Sequence, residues 1–434
     1  MADCVAIAPE INFRQQIAET LQHAARSMPQ AEQVATREML SSFDAELKQG
    51  DDQKMKQDMI KKVVGTFVDT QGALKAAKEG ENESSHVLLN YTLAQNFDTN
   101  GEEYAGLVKS LVDAVRAGGE KAVADGRTAK AESAARILTN TYNLLPASSP
   151  LRPTVLLALV QLLAASDDLA ALPISGVSAA LAQWSVSEAD KVAFLTQAAA
   201  VYEKAGKLDS ALTLTLLALE RDVNAKTAEH ALALALAQND RFDLDDLLKV
   251  QGVRDVLTGK AAELVALFTS VDELEAVQKA AEWTKANGAF VSGLGVEGLD
   301  ADEVLRKVRL IAIATLAARS ASKTIAYADL TSALGVPEDE VEAWVIDAIR
   351  AGLLEARLSQ PLSSVRVISV SSRATRRFGS EEWQLLERRL KEWKAAVDDA
   401  LTTVHEAEAL AAQGPITNTR PRRRQEQPAQ TENN

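Results

Sequence analysis

The sequence predicts a mostly α-helical protein: a solenoid-like stack of helical repeats, then a winged helix, then one long C-terminal helix. Three observations carry that expectation. Apolar residues make up 47% of the 434 positions and aromatics only 4%, a balance that suits closely packed helices better than sheets. Apolar positions recur at three- and four-residue spacing along most of the chain. Near the end, "TIAYADLTSALGVPEDEVEAWVIDAIRAGLLEARL" (324–358) reads as a helix, a tight turn, a second helix and a strand.

The bulk numbers bound the function. A chain of this length is too long for one simple core, which calls for several domains or a stacked repeat. A net charge of −14 keeps the body as a whole from seeking polyanions, although a local basic patch remains compatible with it. The single cysteine, Cys4, forms no internal disulfide and suits a reducing compartment. The opening "MADCVAIAPE" lacks the basic head and apolar core of a secretory signal. The apolar stretches "VLLALVQLLAA" and "LIAIATLAA" fall short of the roughly 20 residues that a membrane span needs. The expectation is a soluble, cytoplasmic protein with no membrane contact.

From about residue 12 to 302, helix follows helix. In "SEADKVAFLTQAAAVYEKAGKLDSALTLTLLALE", Ser187 with Asp190 three residues on looks like a capping box. Val192, Leu195, Ala199 and Tyr202 follow at helical spacing. Gly206 breaks the run, and Leu208, Ala211, Leu212, Thr215 and Leu219 begin a second helix. "TAEHALALALAQNDRFDLDDLLKV" and "KAAELVALFTSVDELEAVQKAAEW" suggest similar antiparallel pairs. No fixed-period consensus emerges, so the stack is read from style. Glycine, proline, serine and charge mark soft joints at "AKEGENESS", "RAGGE", "PASSPLRP" and "ANGAFVSGLGVEGLD". The expected divisions are N-terminal helical repeats over 1–205 and a second domain over 206–376, whose last repeats run to about 303 and whose winged helix spans about 304–376. A C-terminal bundle helix over 377–412 and a disordered polar tail over 413–434 complete the chain.

Within the winged helix, a lead helix over about 304–321 precedes the helix-turn-helix. "LLEARL" and "VRVISV" then read as two wing strands, 354–358 and 365–370, joined by "SQPLSS".

Catalytic signatures are missing. His23, His86, His230 and His405 are isolated from one another, with no H-x-x-x-H or C-x-x-C spacing. No G-x-S-x-G or G-K-[ST] element marks a nucleophile or a phosphate loop. "GLGVEG", Gly293 to Gly298, matches G-x-G-x-x-G, but a helix precedes it and no βαβ unit surrounds it. It reads as a flexible joint. No catalytic residue, cofactor site or metal site is assigned, and an enzyme is not expected.

The second helix of the helix-turn-helix decides between nucleic acid and protein. Pro337 fits its first turn; Val341, Trp344, Val345, Ala348 and Ile349 form one buried stripe, and Gly352 ends it. Left outside are Glu338, Asp339, Glu340, Glu342 and Asp347 against the single base Arg350. Four of those acids crowd the N-terminal turn, the end that a DNA-reading helix presents to bases, where they would repel phosphate. The expectation is a protein-binding winged helix. Its candidate interface residues are Asp339, Ala343, Ile346 and Arg350 on the helix, with Arg366 and Ile368 on a wing whose edge could pair with a neighbouring strand. On the last helix, Trp383, Leu386, Leu390, Trp393, Val397, Ala400, Val404 and Ala407 step by three and four, a near-heptad seam. The seam positions carried as interface candidates are Trp383, Leu386, Leu390, Trp393, Val397 and Val404. A competing RNA reading rests on Arg373, Arg376 and Arg377, with Arg422, Arg423 and Arg424 in the tail.

A helical stack, winged helix and terminal helix in that order resemble the PCI proteins, scaffold subunits of the proteasome lid, the signalosome and translation initiation factor three. "KTIAYADLTSALGVPEDEVEAWVIDAIRAGLLEARLSQ" and "SSRATRRFGSEEWQLLERRLKEWK", above all Arg377, Phe378, Gly379, Trp383 and Trp393, are similar to one subunit type of eukaryotic initiation factor three. A signalosome or lid subunit is the runner-up. The likeness covers roughly the last third of the ordered chain, and the repeats match in style. It implies a non-catalytic scaffold subunit without cofactors, joined to other PCI-type subunits through its winged helix and terminal helix. Through that complex it would reach the small ribosomal subunit and support recruitment of mRNA and initiator tRNA, with direct RNA contact left open.

Overall fold

The computed structural model describes residues 11–49, 52–75, 79–269, 273–320, 322–371 and 380–412. Two units emerge, Met1–Thr375 and Arg376–Asn434. The first unit opens on α1 (Phe13–Ala25), α2 (Gln30–Gln49), α3 (Gln53–Asp69), α4 (Glu79–Asn96), α5 (Glu102–Ala124), α6 (Thr128–Leu144) and α7 (Leu151–Ala165). It continues with α8 (Ile174–Gln183), α9 (Glu188–Lys204), α10 (Leu208–Leu219), α11 (Ala225–Ala237), α12 (Asp245–Lys249), α13 (Val253–Val256), α14 (Lys260–Thr269) and α15 (Glu273–Gly293). Each helix packs chiefly on near neighbours in sequence, α5 on α6 and α7, α9 on α10, and α15 on α16 (Ala301–Arg319). That is how a stack of repeats buries its apolar faces. One hydrophobic core runs from Ile17 in α1 to Val367 near the end of the unit.

Local chemistry explains where helices start and stop. Ser187 Oγ accepts the Asp190 N–H at 3.2 Å and donates to the Asp190 carboxylate at 2.6 Å, capping α9. Gly206, at φ +72°, closes the same helix: its N–H reaches the Glu203 carbonyl at 2.9 Å and the Lys207 N–H reaches the Tyr202 carbonyl at 2.9 Å. These paired bonds satisfy carbonyls that the helix end would leave orphaned.

The soft joints fare unevenly. "RAGGE" lies inside α5, and most of "AKEGENESS" lies inside α4. In α5 the glycines are packing devices: a Cβ on Gly118 would sit 2.2 Å from the Gln71 carbonyl oxygen, and one on Gly119 would sit 2.7 Å from Leu162. The Gln71 backbone admits no side chain at Gly118, whereas at Gly119 the Leu162 methyl would have to give way. Helix α15 runs through "ANGAFVSG" with a non-helical Asn287. The "GLGVEG" segment, which begins at the last residue of α15, tucks Val296 into the core, as does Leu299 just past it, so it is a packed corner where a flexible joint was expected. A helix precedes Gly293, and no βαβ unit exists among the described residues.

Helix α16 joins the stack to the winged helix through Lys307. This lysine is fully buried, and its Nζ donates to the Gln238 carbonyl at 2.5 Å and the Arg241 carbonyl at 2.9 Å, just past the end of α11. Burial pushes its amine down to about 8. The winged helix continues with β1 (Thr324–Ala326), α17 (Tyr327–Leu334), α18 (Glu338–Arg350), β2 (Leu354–Ser359) and β3 (Ser364–Val370). The three strands form an antiparallel sheet in the order β1-β3-β2. The helix expected to begin at 324 therefore begins three residues later. Thr324 to Ala326 pair with Ser364 to Arg366, and Ile325 is buried on the inner side of the sheet. A β-branched pair with a distant partner strand outweighs local helical spacing there. The second unit contains α19 (Ser380–Ala412).

Candidate protein interface on the winged helix and the terminal helix

Helix α18 is amphipathic in the register its sequence implies. Val341, Val345 and Ala348 are buried, and Trp344 and Ile349 are half-buried against the core. The Arg309 guanidinium lies 5.1 Å from the Trp344 ring centroid, a cation–π contact between α16 and α18. Pro337 sits one position earlier than expected, as the N-cap. Glu338, Asp339 and Glu340 occupy the first turn, where the positive end of the helix dipole favours carboxylates. Glu342 is no free surface acid: it accepts from the Tyr327 hydroxyl at 3.0 Å and from the Gln360 side chain at 2.9 Å. It thereby ties α18 to the start of α17 and to the turn between the wing strands.

On the opposite side Asp339, Ala343, Ile346 and Arg350 are exposed. They fall at i, i+4, i+7 and i+11, one face of the helix. Ile346, 39% exposed, gives that face an apolar centre, with Asp339 and Arg350 at its two ends.

The wing differs from the expected two-stranded hairpin. Strand β3 is central, covered by β2 on one side and by β1 along 364–366 on the other. Arg366 and Ile368 thus lie on the outward face of a central strand, and the edges of the sheet belong to β1 and β2. The register slips between Glu355 and Ala356, where Ser369 and then Val367 are the partners. Ile368 is the extra residue of that bulge, a distortion that re-aims a side chain; it is 48% exposed.

Helix α19, taken by itself, exposes every residue whose side chain is described, including all six seam candidates, Trp383, Leu386, Leu390, Trp393, Val397 and Val404. Trp393 is 68% exposed. Leu401 and Leu410 are exposed as well; Leu401 flanks the seam, four residues after Val397, a signal the heptad count passes over in favour of Ala400. Elsewhere on the helix Lys391 pairs with Glu387 at 2.6 Å, and that hydrogen bond holds the Glu387 carboxyl below its usual range. Arg357, on the outward face of β2 opposite Arg366, was not singled out from sequence; "LEARLS" alternates, but its partner depends on register.

Arg373, Arg376, Arg377, Arg422, Arg423 and Arg424 lie outside the described residues, as do Phe378 and Gly379. Of the histidines, His23 and His86 are buried, His230 approaches Glu203 at 3.0 Å, and His405 is exposed on α19. Among the described residues no group of three His, Cys, Asp or Glu side chains could hold a metal ion.

The PCI domain family matches residues 298–368, from the corner before α16 to the bulge in β3. The chain is 30% identical over 373 residues to the protein named eukaryotic translation initiation factor 3 subunit M in Aspergillus terreus, covering 81% of this chain and 76% of that one. It is 30% identical to the subunit M of Aspergillus clavatus over 376 residues, 81% and 74% of the two chains. The chain belongs to the subunit M family of eukaryotic translation initiation factor 3. A more distant subunit M, from Chaetomium globosum, is 26% identical over 289 residues, 64% and 66% of the two chains. The likeness first seen in the last third of the sequence therefore extends into the helical stack. Subunit M also displaces the signalosome and lid alternatives that share the same modules.

Proposed function

We propose that this protein is a non-catalytic scaffold subunit of initiation factor 3, acting in the cytoplasm and held to neighbouring PCI-type subunits by its winged helix and by α19. Through that assembly it supports recruitment of mRNA and initiator tRNA to the small ribosomal subunit. The observation that carries the reading is the seam on α19. Trp383, Leu386, Leu390, Trp393, Val397 and Val404 place large apolar surface at heptad spacing on an exposed helix, and an apolar stripe of that length is stabilised in a helical bundle with other chains. The apolar spot on α18, with charge at its two ends and the polar rim common at interfaces, and the winged-helix sheet supply a second kind of contact. No helix among the described residues is long and apolar enough to cross a membrane, which accords with a translation factor.

The reading is tested by tagging the C-terminus, purifying the protein gently from its own cells, and identifying co-purifying chains by mass spectrometry. Initiation factor 3 subunits together with small-subunit ribosomal proteins are the expected result. Signalosome or proteasome subunits in their place would overturn it.

A further inference from the structure

We propose that the outward face of the winged-helix sheet docks an acidic segment of a partner protein through Arg357 and Arg366. This rests on the reading of the winged helix as a protein-binding module and supplies the chemistry of one of its partners. Arg357 and Arg366 are direct cross-strand partners of β2 and β3, and both are exposed. Like charges opposed across a ladder destabilise a sheet. Neither guanidinium has a hydrogen bond or ion pair with any described residue. The acid of the same face, Glu355, instead accepts from the Ser369 hydroxyl at 3.0 Å. A pair of arginines so close, with no counter-charge among the described residues, fits a ligand that brings carboxylates, since a guanidinium binds them bidentately.

The surroundings favour an extended peptide. Thr324 is the partner of Arg366 on its other side, and Ser364 pairs with both Ala326 and Ser359, so small side chains flank the arginines and let a backbone approach. Ile368, thrown outward by the bulge, offers an apolar contact beside Arg366. Strand β2 is an edge that an added strand can pair with. A phosphate backbone is disfavoured because Glu355 lies on the face. Moreover Glu338, Asp339 and Glu340 lie within a turn of Glu342, which bonds Gln360 at the wing. Phosphate binding needs a basic field, and two arginines against these acids do not make one.

The test uses the purified full chain and two fluorescent probes of equal length, a peptide alternating glutamate with leucine and a single-stranded oligouridylate, followed by anisotropy at low and high salt. The wild type should bind the peptide in preference to the oligouridylate, more weakly as salt rises. Arg366→Glu converts the repulsive pair into an attractive one. It should weaken peptide binding at least tenfold while the thermal midpoint stays or rises, so lost binding is not lost folding. Lys109→Gln, on the exposed face of α5 in the helical stack, should bind as wild type does. Peptide binding that is absent, or that survives Arg366→Glu, overturns the proposal. Preferential oligouridylate binding, lost in the same variant, would assign the face to nucleic acid. Failure to recover initiation-factor chains in the purification would overturn the assembly reading and leave this peptide result standing.

Discussion

His86 packs edge-on to Phe67 with ring centroids 5.1 Å apart, and its Nε2 donates to the Gly72 carbonyl at 2.8 Å. The carbonyl can only accept, so Nδ1 is the nitrogen left bare, and it has no partner in the core. Burial pushes His86 down to about 4 despite the Gly72 bond, with nearby His23 adding to the effect. The sign follows from proton counts: between pH 6.5 and about 4 the unfolded chain binds a proton that the folded chain refuses. Stability is therefore full above pH 6.5 and falls as pH drops toward 4. At about 1.4 kcal/mol per pH unit, the loss approaches about 3 kcal/mol. Urea unfolding at pH 7.5 and pH 5 should show about 2 kcal/mol of that loss, and His86→Gln, which keeps a donor for Gly72, should flatten the difference. The titrating neighbourhood also holds His23, itself lowered by burial, with Arg26, Glu81 and Lys130 around it. Glycine in α5 offers a second test at this scale. Gly118→Ala forces a Cβ against the Gln71 backbone and should cost about 1–3 kcal/mol or more. Gly106→Ala, in the same helix with nothing within 4 Å, should stabilise by about 0.5–1 kcal/mol. Thermal melts of the two variants should move in opposite directions.

Helices were largely legible as elements because their signals are local. The α18 stripe, the Ser187 cap and the Gly206 stop all lie within a few residues of what they control. Elements defined by distant partners were not. Thr324 to Ala326 become a strand only because Ser364 to Arg366 lie alongside them, and Gly118 looks like a breaker until α3 delivers Gln71 beside it. The same reason hid the arginine pair. Alternation along "LEARLS" places Arg357 outward, but only the register of β2 against β3, with its slip at Glu355, sets it opposite Arg366. Lys307 likewise reads as one more surface charge in α16 until Gln238 and Arg241 turn their carbonyls toward it. Of the candidate interface, the α18 face and the α19 seam could be read from helical periodicity, whereas the wing residues required three-dimensional pairing.

At the scale of the whole molecule, the net charge is −14 and a continuous core runs from Ile17 to Val367 through the first unit. Apolar surface concentrates on α19 and on small spots of the winged helix. The chain belongs to the subunit M family, and under the proposed function that distribution is the means of holding place in an assembly. The most direct measurement is to express tagged protein carrying Trp393→Asp and Val397→Asp together, beside the wild type, and quantify the initiation factor 3 subunits that co-purify with each. Both side chains are exposed, so circular dichroism and the thermal midpoint should match wild type while the partner subunits are lost. Retention of the full set of subunits by a folded variant would contradict the account and leave the seam without a role in assembly.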